Sequence, residues 1–576
     1  MKKQKEVLII FKTHLDVGFT DYAENIVSKY LNEYIPQAIK VGYELKDTNT
    51  PFKWTVGSWL IKLALENDTD GRIEQAIKDD ILCWHALPFT THTEAMNEEL
   101  FEYGLSISKE LDRRFNKATI GAKMSDVPGH TIGMIPLMRK NGINFLHIGV
   151  NPATPLPNVP QIFKWRLNND EITVMYQADY GDVAEFEDFI VYFAHTGDNM
   201  GPQSAQKIID EYSNVEKKYP NCILRAGTID DIAERVTKLN NLPVIEKEIG
   251  DTWIHGIGTD PQKISRYRKL LRHIKAFGEI PVDLTDNLLC LPEHTWGMDV
   301  KTYFPFDKFY SHTEMDELKA EREKIEKSWA EQRNYVQKAE MLLGVESDYP
   351  ITKPNINDYV EIEAPKDVDY EISWQILDNS DYQRYKNDYM RCHLDWAIWD
   401  FTKVGLPDYN GGIYTARVTG AYKNRSKYLY KLEFEDEIAK KYGLPYFYIE
   451  KHLQSLKIQW FDKKCSRLPQ ACWFKIKGLE ENWEIQKMGQ WISPDEIIGS
   501  PFISGVDEGV KNPSLTVKSL DCALVAPFGR RLLQYDFKQH NQDMYFNLYN
   551  NIWNTNFPMW YTDDAVFRFE LVPNNV

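Results

Sequence analysis

Residues 6–12 read EVLIIFK, a buried strand candidate, and run directly into a polar turn, THLDVGF, at residues 13–19. His14 and Asp16 stand two positions apart, so in an extended segment their side chains point the same way. An imidazole nitrogen and a carboxylate oxygen on one side of the chain form half of a zinc or manganese site. For this pair alone, the alternative is a turn-capping Asp beside an ordinary His.

Strand and helix candidates alternate from residue 1 to about 245. This order is typical of a parallel sheet or barrel with covering helices. From about 260 to 343 the pattern is helical, with a capping box at Ser311–Glu314 and a stop signal at Gly344. After Pro350, short alternating stretches between turn residues predict a β-sandwich. The clearest candidates are strands at 118–124, 145–150, 171–177 and 189–194 and helices at 24–45 and 94–115.

Composition excludes several classes of function. The chain of 576 residues has 68 Lys and Arg against 85 Asp and Glu, a formal net charge of −17. Bulk attraction to phosphate needs a basic surface, so we expect no nucleic-acid partner. The longest uncharged stretch, 544–562, is rich in Asn and Tyr, and the first apolar run is too short for a signal peptide, so we expect no membrane partner. Seven cysteines without a C-x-x-C pair fit free thiols in the cytoplasm.

Polar turns follow two more predicted strands, and another stands between predicted helices. They are KMSDVPGHT at 123–131, HTGDNMGP at 195–202 and LPEHTWG at 291–297. For the turn at 123–131 the plain interpretation is a turn-stabilising Asp, and each of the other two also has a plain structural interpretation. Because functional groups in parallel α/β folds lie just past the carboxyl ends of the strands, a shared rim would bring such turns together.

These segments resemble the motifs of glycoside hydrolase family 38, the α-mannosidase superfamily. The family's opening His-x-Asp-x-Gly-aromatic motif matches residues 14–19, and its Asp-x-x-Gly-His-Ser/Thr motif matches residues 126–131. Two weaker matches are the turn at 197–202 and the histidine segment at 293–295. The resemblance covers about residues 5–345. It implies three domains, namely a distorted α/β barrel of the seven-stranded type at 1–250, a helical bundle at 251–345 and a β-sandwich at 346–576.

The resemblance also implies a metal-dependent retaining glycosidase acting on an α-linked carbohydrate. His14, Asp16, Asp126 and His294 would coordinate one divalent ion, and this set of ligands suits Zn²⁺, although Co²⁺ or Mn²⁺ would also be accepted. Asp126 would also be the nucleophile and Asp198 the general acid/base, with the two carboxyls about 5 to 5.5 Å apart. Family members often assemble, so a homo-oligomer is a further expectation.

Four more residues are candidates for substrate contact. Phe19 could stack on a sugar ring, and the alternative is a core aromatic. His92 and Glu94 could contact sugar hydroxyls, although Glu94 also suits the first turn of a helix. His255 could enter the site from the linker after the barrel, and the alternative is a packed linker.

The sequence departs from the family pattern at positions that would contact sugar rather than metal. Asn199 stands where relatives often have a second acid, Thr295 replaces an Asp, and the Arg that commonly follows the nucleophile strand is missing near Val150 and Asn151. Two other functions therefore stay open. One is a metal-dependent hydrolase of another bond, such as a deacetylase-like enzyme whose nucleophile is metal-bound water. The other is a non-catalytic carbohydrate-binding protein.

Overall fold

A computed structural model describes residues 4–277, 282–365, 368–477, 482–535 and 543–574. The chain divides into two compact units. The first contains residues 4–92, 98–128 and 132–247. The second contains the short segments 93–97 and 129–131 together with the described residues from 248 onward. The predicted division into three domains stays a prediction.

The first unit contains eleven described strands in two hydrogen-bonded sheets. Their bounds are β1 Glu6–His14, β2 Trp54–Gly57, β3 Leu82–His85, β4 Gly121–Asp126, β5 Phe145–Val150, β6 Ile162–Leu167, β7 Asp170–Gln177, β8 Ala184–Glu185, β9 Phe189–Asp198, β10 Ile223–Ala226 and β11 Val244–Ile245. One sheet has the order β3-β2-β1-β9-β8, with β10 also pairing with β1, and the other has the order β11-β6-β7-β5-β4. The predicted α/β class is confirmed, whereas a closed barrel is not, because the described strands form two separate sheets.

Strand β1 explains how the sequence places polar groups at a strand end. Its side chains are buried on both faces, as expected for a parallel strand covered by helices. Leu8 and Ile10 lie in an apolar cluster with Phe145, Met175 and Val191. The strand extends two residues beyond the predicted end at Lys12, so His14 is its last residue. The change from apolar to polar side chains therefore occurs within the strand, on the side that carries Leu8 and Ile10.

Helices cover the sheets of the first unit. Their bounds are α1 Ala23–Lys29, α2 Ile35–Leu45, α3 Ser58–Glu66, α4 Arg72–Lys78, α5 Glu98–Phe115, α6 Met134–Lys140, α7 Ala205–Lys218 and α8 Ile229–Val236. The predicted helix at 24–45 is present, with one π-helical turn at Tyr30–Tyr34 between α1 and α2. The helix predicted from residue 94 begins at Glu98, because residues 93–95 form a separate 3₁₀ turn.

The second unit is mainly helical from residue 261 to residue 343, as the sequence predicts. Their bounds are α9 Pro261–Phe277, α10 Val282–Leu289, α11 Val300–Tyr303, α12 His312–Glu317 and α13 Lys319–Leu343, followed later by α14 Asn379–Tyr389, α15 Asp395–Phe401 and α16 Asp436–Tyr442. The capping box is confirmed, since Ser311 Oγ accepts from the Glu314 main chain and Glu314 accepts from the Ser311 main chain. Gly344 ends α13 with a φ of 63°, which glycine adopts without strain.

Two antiparallel sheets follow in the second unit. The described strands are β12 Glu248–Gly250, β13 Val360–Glu361, β14 Tyr370–Ile376, β15 Gly412–Thr415, β16 Arg417–Asn424, β17 Lys427–Glu433, β18 Tyr446–His452, β19 Ser455–Phe461, β20 Gln470–Ile476, β21 Glu484–Lys487, β22 Gln490–Ile492, β23 Ile497–Gly499, β24 Ser504–Gly505, β25 Gly509–Lys511, β26 Leu515–Ser519, β27 Leu524–Ala526, β28 Tyr545–Asn550 and β29 Ala565–Pro573. Ten strands form the sheet β13-β16-β17-β18-β19-β29-β26-β25-β21-β22, six form β15-β14-β20-β28-β27-β24, and the remaining two, β12 and β23, form a separate parallel pair. Trp374 and Trp460, one from each sheet, have ring centroids 5.9 Å apart, so the sheets pack face to face as a sandwich.

Two further sequence expectations concern the whole chain. All seven cysteines lie within the described residues, and each is a free thiol. Within the same described ranges, none of the helices combines the length and the apolar character that crossing a membrane requires.

Candidate functional site

Three strands of the first unit end in the polar residues that the sequence analysis singled out. β1 ends at His14, β4 ends at Asp126 and β9 ends at Asp198. β1 and β9 run parallel, and His14 stands opposite Asp198 in their register. Parallel strands bring their carboxyl ends to one edge of a sheet, which is where ligands bind in α/β folds. His14 and Asp198, which are 184 positions apart in sequence, therefore become neighbours at this edge.

His14 and Asp16 form a close buried pair. His14 Nε2 lies 3.2 Å from an Asp16 carboxylate oxygen, and both side chains are almost fully buried. His14 Nδ1 lies 2.9 Å from Ser125 Oγ, a residue of β4. When Nδ1 donates its hydrogen to Ser125, Nε2 keeps a lone pair that points toward Asp16. A nitrogen ligand and an oxygen ligand at this separation suit a divalent cation.

Asn199 fixes the turn that carries Asp16. Its side-chain oxygen accepts from the Asp16 main chain at 3.1 Å, and its amide nitrogen donates to the carbonyl of Gly18 at 3.0 Å. Asn199 has a φ of 52°, a left-handed conformation that asparagine tolerates better than most residues. The sequence analysis treated this position only as a missing acid. The structure gives it a positioning role that depends on an amide, because a carboxylate could not donate to the Gly18 carbonyl.

Asp126 is held in an unusual backbone conformation at the end of β4. Its φ is 75°, and its side chain is 4 % exposed. Asn151 donates from its side chain to the Asp126 carboxylate at 2.9 Å. A non-glycine residue with positive φ at a strand end stores strain, and such residues cluster at functional sites. Asn151 lies in the region where an arginine was expected, so a neutral donor takes the place of a cationic one next to Asp126.

Asp198 has a hydrogen-bond partner and a raised pKa. Tyr180 donates from its hydroxyl to an Asp198 carboxylate oxygen at 3.1 Å. Burial, and then the negative charge of Asp16, raise the pKa of Asp198 to about 6, while His14 opposes this rise. A carboxyl group with a pKa near neutrality can give up a proton and take it back at physiological pH.

Tyr180 is a residue of this site that the sequence analysis missed. Its ring stacks on the His14 imidazole with centroids 4.8 Å apart. Burial raises the pKa of its phenol well above the ordinary value, and the charges of Asp126 and Asp198 add to the rise. The phenol therefore stays protonated and acts as a donor. The only sequence signal was the polar turn after the strand candidate at 171–177, which matches no motif quoted above.

The remaining candidates of the first unit are Phe19 and His92. Phe19 is partly exposed and has a φ of 63°, so the turn after Asp16 is held in a left-handed conformation there. His92 is 1 % exposed and directly precedes the 3₁₀ turn at residues 93–95. Contact of either side chain with a sugar stays a prediction.

His294 lies in the second unit, in the loop between α10 and α11. Its imidazole is fully buried, and Nδ1 lies 2.7 Å from a carboxylate oxygen of Glu293. The other Glu293 oxygen accepts from the Thr295 main chain at 2.9 Å. With a carboxylate oxygen next to Nδ1, the other ring nitrogen, Nε2, is the candidate metal ligand. The sequence analysis quoted Glu293 within the motif but did not recognise this arrangement.

Glu94 and His255 are also buried within the second unit. Glu94 pairs with Lys487 and accepts from the Gly505 main chain at 3.1 Å, and Lys487 also contacts Glu248 at 2.8 Å. His255 lies in a 3₁₀ segment whose position is fixed by a bond from Asn550 to the His255 carbonyl, at 2.8 Å. Burial lowers the pKa of His255 to about 3, so its ring is neutral. Substrate contacts of both residues stay predictions.

Comparison with known proteins identifies the fold but no close relative. A family model described as a domain of unknown function, DUF5054, matches residues 257–353. A search of curated proteins gives no significant match. Two solved structures are similar over almost the whole chain. The first is an α-mannosidase from Enterococcus faecalis V583, with a TM-score of 0.57, 10 % identity and coverage of 99 % of this chain and 87 % of that one.

The second solved structure is a protein of glycosyl hydrolase family 38 from the same species. It has a TM-score of 0.54 and 9 % identity, and the alignment covers 100 % of this chain and 86 % of that one. The fold resembles that of family 38. This likeness agrees with the resemblance found in the sequence motifs, but identities near 10 % establish the fold alone.

Proposed function

We propose that this family-38-like chain is a metal-dependent retaining glycoside hydrolase that acts on an α-linked carbohydrate, as α-mannosidases do. The observation that carries the proposal is the arrangement at the ends of β1 and β9. There, the His14–Asp16 pair, with 3.2 Å between ligand atoms, stands in register with Asp198, a carboxyl group whose pKa lies near neutrality. A ligand pair beside a tuned acid is what metal-assisted glycoside cleavage requires.

The proposed metal ligands are His14, Asp16, Asp126 and His294. His14, Asp16 and His294 are buried, and each offers one atom suited to a metal ion. Two imidazoles and two carboxylates are the ligand set of a Zn²⁺ site, or of another divalent cation of similar preference. A bound ion would supply Lewis-acid binding of sugar hydroxyls, which orients the ring.

The chain's own residues would carry the bond-breaking steps. Asp126 would attack the anomeric carbon with its carboxylate while Asp198 gives its proton to the leaving oxygen. In the second step Asp198 would take a proton from water, and the resulting nucleophile would release the sugar from Asp126 with net retention. Tyr180 would stay protonated throughout and hold one Asp198 oxygen by its hydrogen bond. The strained backbone of Asp126 would keep its carboxylate directed toward the substrate.

Several finer expectations belong to the same proposal. Phe19, His92, Glu94 and His255 would shape the sugar-binding surface. The first unit would function as a distorted seven-stranded α/β barrel. The free thiols favour a cytoplasmic enzyme, and the family resemblance favours a homo-oligomer.

The test is metal analysis of the purified protein together with assays on aryl α-glycosides. We expect about one divalent ion per chain, hydrolysis that stops with a chelator and returns with Zn²⁺, and a covalent adduct on Asp126 after treatment with an activated fluorosugar. D126N should form no adduct. D112N provides a matched control, because Asp112 is also a buried carboxylate of the first unit but bonds Thr119 and Lys109 instead of the candidate site.

Each alternative function predicts a different result. Chelator-sensitive cleavage of an acetylated sugar without any adduct on Asp126 would indicate a hydrolase that uses metal-bound water. Tight sugar binding without turnover over many hours would indicate a binding protein. A metal-free sample that cleaves as fast as the metal-loaded one would refute the proposal.

A further inference from the structure

A layer of nitrogen bases lies beneath the candidate site in the first unit. On two strands a lysine stands two positions before a polar residue near the strand end: Lys12 precedes His14 on β1, and Lys123 precedes Ser125 on β4, whose hydroxyl contacts His14. His147 on β5 and His195 on β9 belong to the same layer. Burial is the main cause that lowers the pKa of Lys123, His147 and His195 well below their ordinary values. Such buried polar groups need specific partners.

Lys123 has such partners, and their hydrogen bonds connect it to the turn that carries Tyr180. Its Nζ contacts His147 Nδ1 at 2.8 Å and also donates to the main-chain oxygen of Tyr180. His147 Nε2 lies 2.9 Å from the side-chain oxygen of Gln177, which has no hydrogen to give. His147 must therefore carry its hydrogen on Nε2 and accept from Lys123 at Nδ1. Gln177 in turn donates to the Asp182 carbonyl at 3.0 Å.

The turn that receives these bonds needs an anchor. Asp179 and Tyr180 have φ values of 56° and 59°, so two consecutive non-glycine residues lie in the left-handed region. Such conformations persist only where the surroundings impose them. Gly149 lets the turn approach β5, because a Cβ at that position would lie 2.3 Å from the Tyr180 carbonyl oxygen. Lys123 and Gln177 thus hold two carbonyls of a closely packed, strained turn.

We propose that Lys123 is a positioning residue for the general acid, which acts by anchoring the turn that places the Tyr180 hydroxyl 3.1 Å from Asp198. This inference rests on the proposed function for its catalytic consequence, but the anchoring itself does not. Removing the Nζ leaves the Tyr180 carbonyl without this donor and His147 without the hydrogen it accepts. The turn then relaxes and the phenol moves away from Asp198. The carboxyl group loses the bond that fixes its orientation toward the leaving oxygen.

The test compares K123M with K403M. Lys403 is a matched control because it is also buried, at 4 % exposure, and also donates to a main-chain carbonyl, that of Trp553 at 2.8 Å, but in the second unit. We expect K123M, and not K403M, to speed amide hydrogen exchange in peptides covering residues 178–183. On aryl glycosides, K123M should lose about 10- to 100-fold in kcat/KM when the leaving group is poor. With a dinitrophenyl leaving group, which needs no protonation, it should lose less than about threefold.

The Y180F variant removes the hydroxyl but keeps the turn and its anchors, so it distinguishes the effect of the hydroxyl from that of the turn. It should reproduce the dependence on the leaving group while leaving exchange at residues 178–183 unchanged. If K123M does not fold, Q177M removes the second anchor and should show the same two effects. Unchanged exchange in the anchor variants, or equal losses with good and poor leaving groups, would overturn the inference. If the wild-type protein cleaves no glycoside, the proposed function fails, and the exchange result still decides whether Lys123 anchors the turn.

Discussion

Replacing Asp198 with Asn should make the metal-free protein more stable at neutral pH. The pKa of this carboxyl rises from 3.8 to about 6 on folding, mainly because it is buried, and then because Asp16 is close. Each pKa unit corresponds to about 1.4 kcal/mol, so keeping Asp198 ionised in the folded state costs about 3 kcal/mol at pH 7. The amide in D198N avoids this cost and still accepts from Tyr180. We expect a gain of about 1–3 kcal/mol, since local relaxation reduces the full value.

The pH dependence provides the check on this reasoning. Between the unfolded pKa of 3.8 and the folded pKa of about 6, Asp198 binds more protons in the folded state than in the unfolded state. Its unfavourable contribution to the free energy of folding is therefore absent below about pH 4 and grows as pH rises through 6. Urea unfolding of chelated samples should therefore show the gain of D198N at pH 7.5 and not at pH 4. D210N is the control, because Asp210 is exposed and its replacement should change stability by less than about 0.5 kcal/mol. A loss of stability in D198N at pH 7.5, or the same gain at both pH values, would refute the argument.

Two more predictions concern side chains away from the reacting groups. K487M leaves the carboxylates of Glu94 and Glu248 buried without their shared cation. Urea unfolding at pH 7 should therefore show that the free energy of unfolding falls by about 3–5 kcal/mol. A fall below about 1 kcal/mol would show that water reaches these carboxylates. N199A removes the acceptor of the Asp16 main chain and puts Ala in the left-handed region, so Zn²⁺ affinity measured by calorimetry should fall about tenfold. N199G relieves only the backbone, and full recovery of affinity in N199G would contradict a role for the amide.

The sequence predicts the strands of the site better than it predicts their assembly. The apolar run before His14 and the strand before Asp126 are local patterns, and both strands are present with the polar residue at the end. Pairing between distant strands is not a local property, so the two sheets of the first unit could not be distinguished from one closed barrel. The sequence analysis could treat Asn199 only as a missing acid, because the hydrogen bonds from its side chain to the Asp16 turn, 183 positions away, leave no local pattern in the sequence.

The supporting residues were missed for the same physical cause. Tyr180 depends on Lys123, 57 positions earlier, and Glu94 pairs with Lys487 across 393 positions. Hydrogen bonds of this kind leave no periodicity and no motif in the sequence. A lysine within a buried strand, such as Lys123 in β4, is the one local signal of such a bond, because an isolated lysine is rarely buried and therefore indicates a partner elsewhere in the fold.

The assignment of residues 93–97 and 129–131 to the second unit limits how this protein can be dissected. His130 donates from its main chain to the Ile249 carbonyl at 2.9 Å, and Thr93 contacts the His130 ring at 3.3 Å. A fragment that stops at residue 247 would keep both short segments but lose Ile249. The complementary fragment would lack the segments themselves. Separate expression of the two halves should therefore give incomplete pieces, whereas mixing them would restore the missing hydrogen bonds only if both chains refold together.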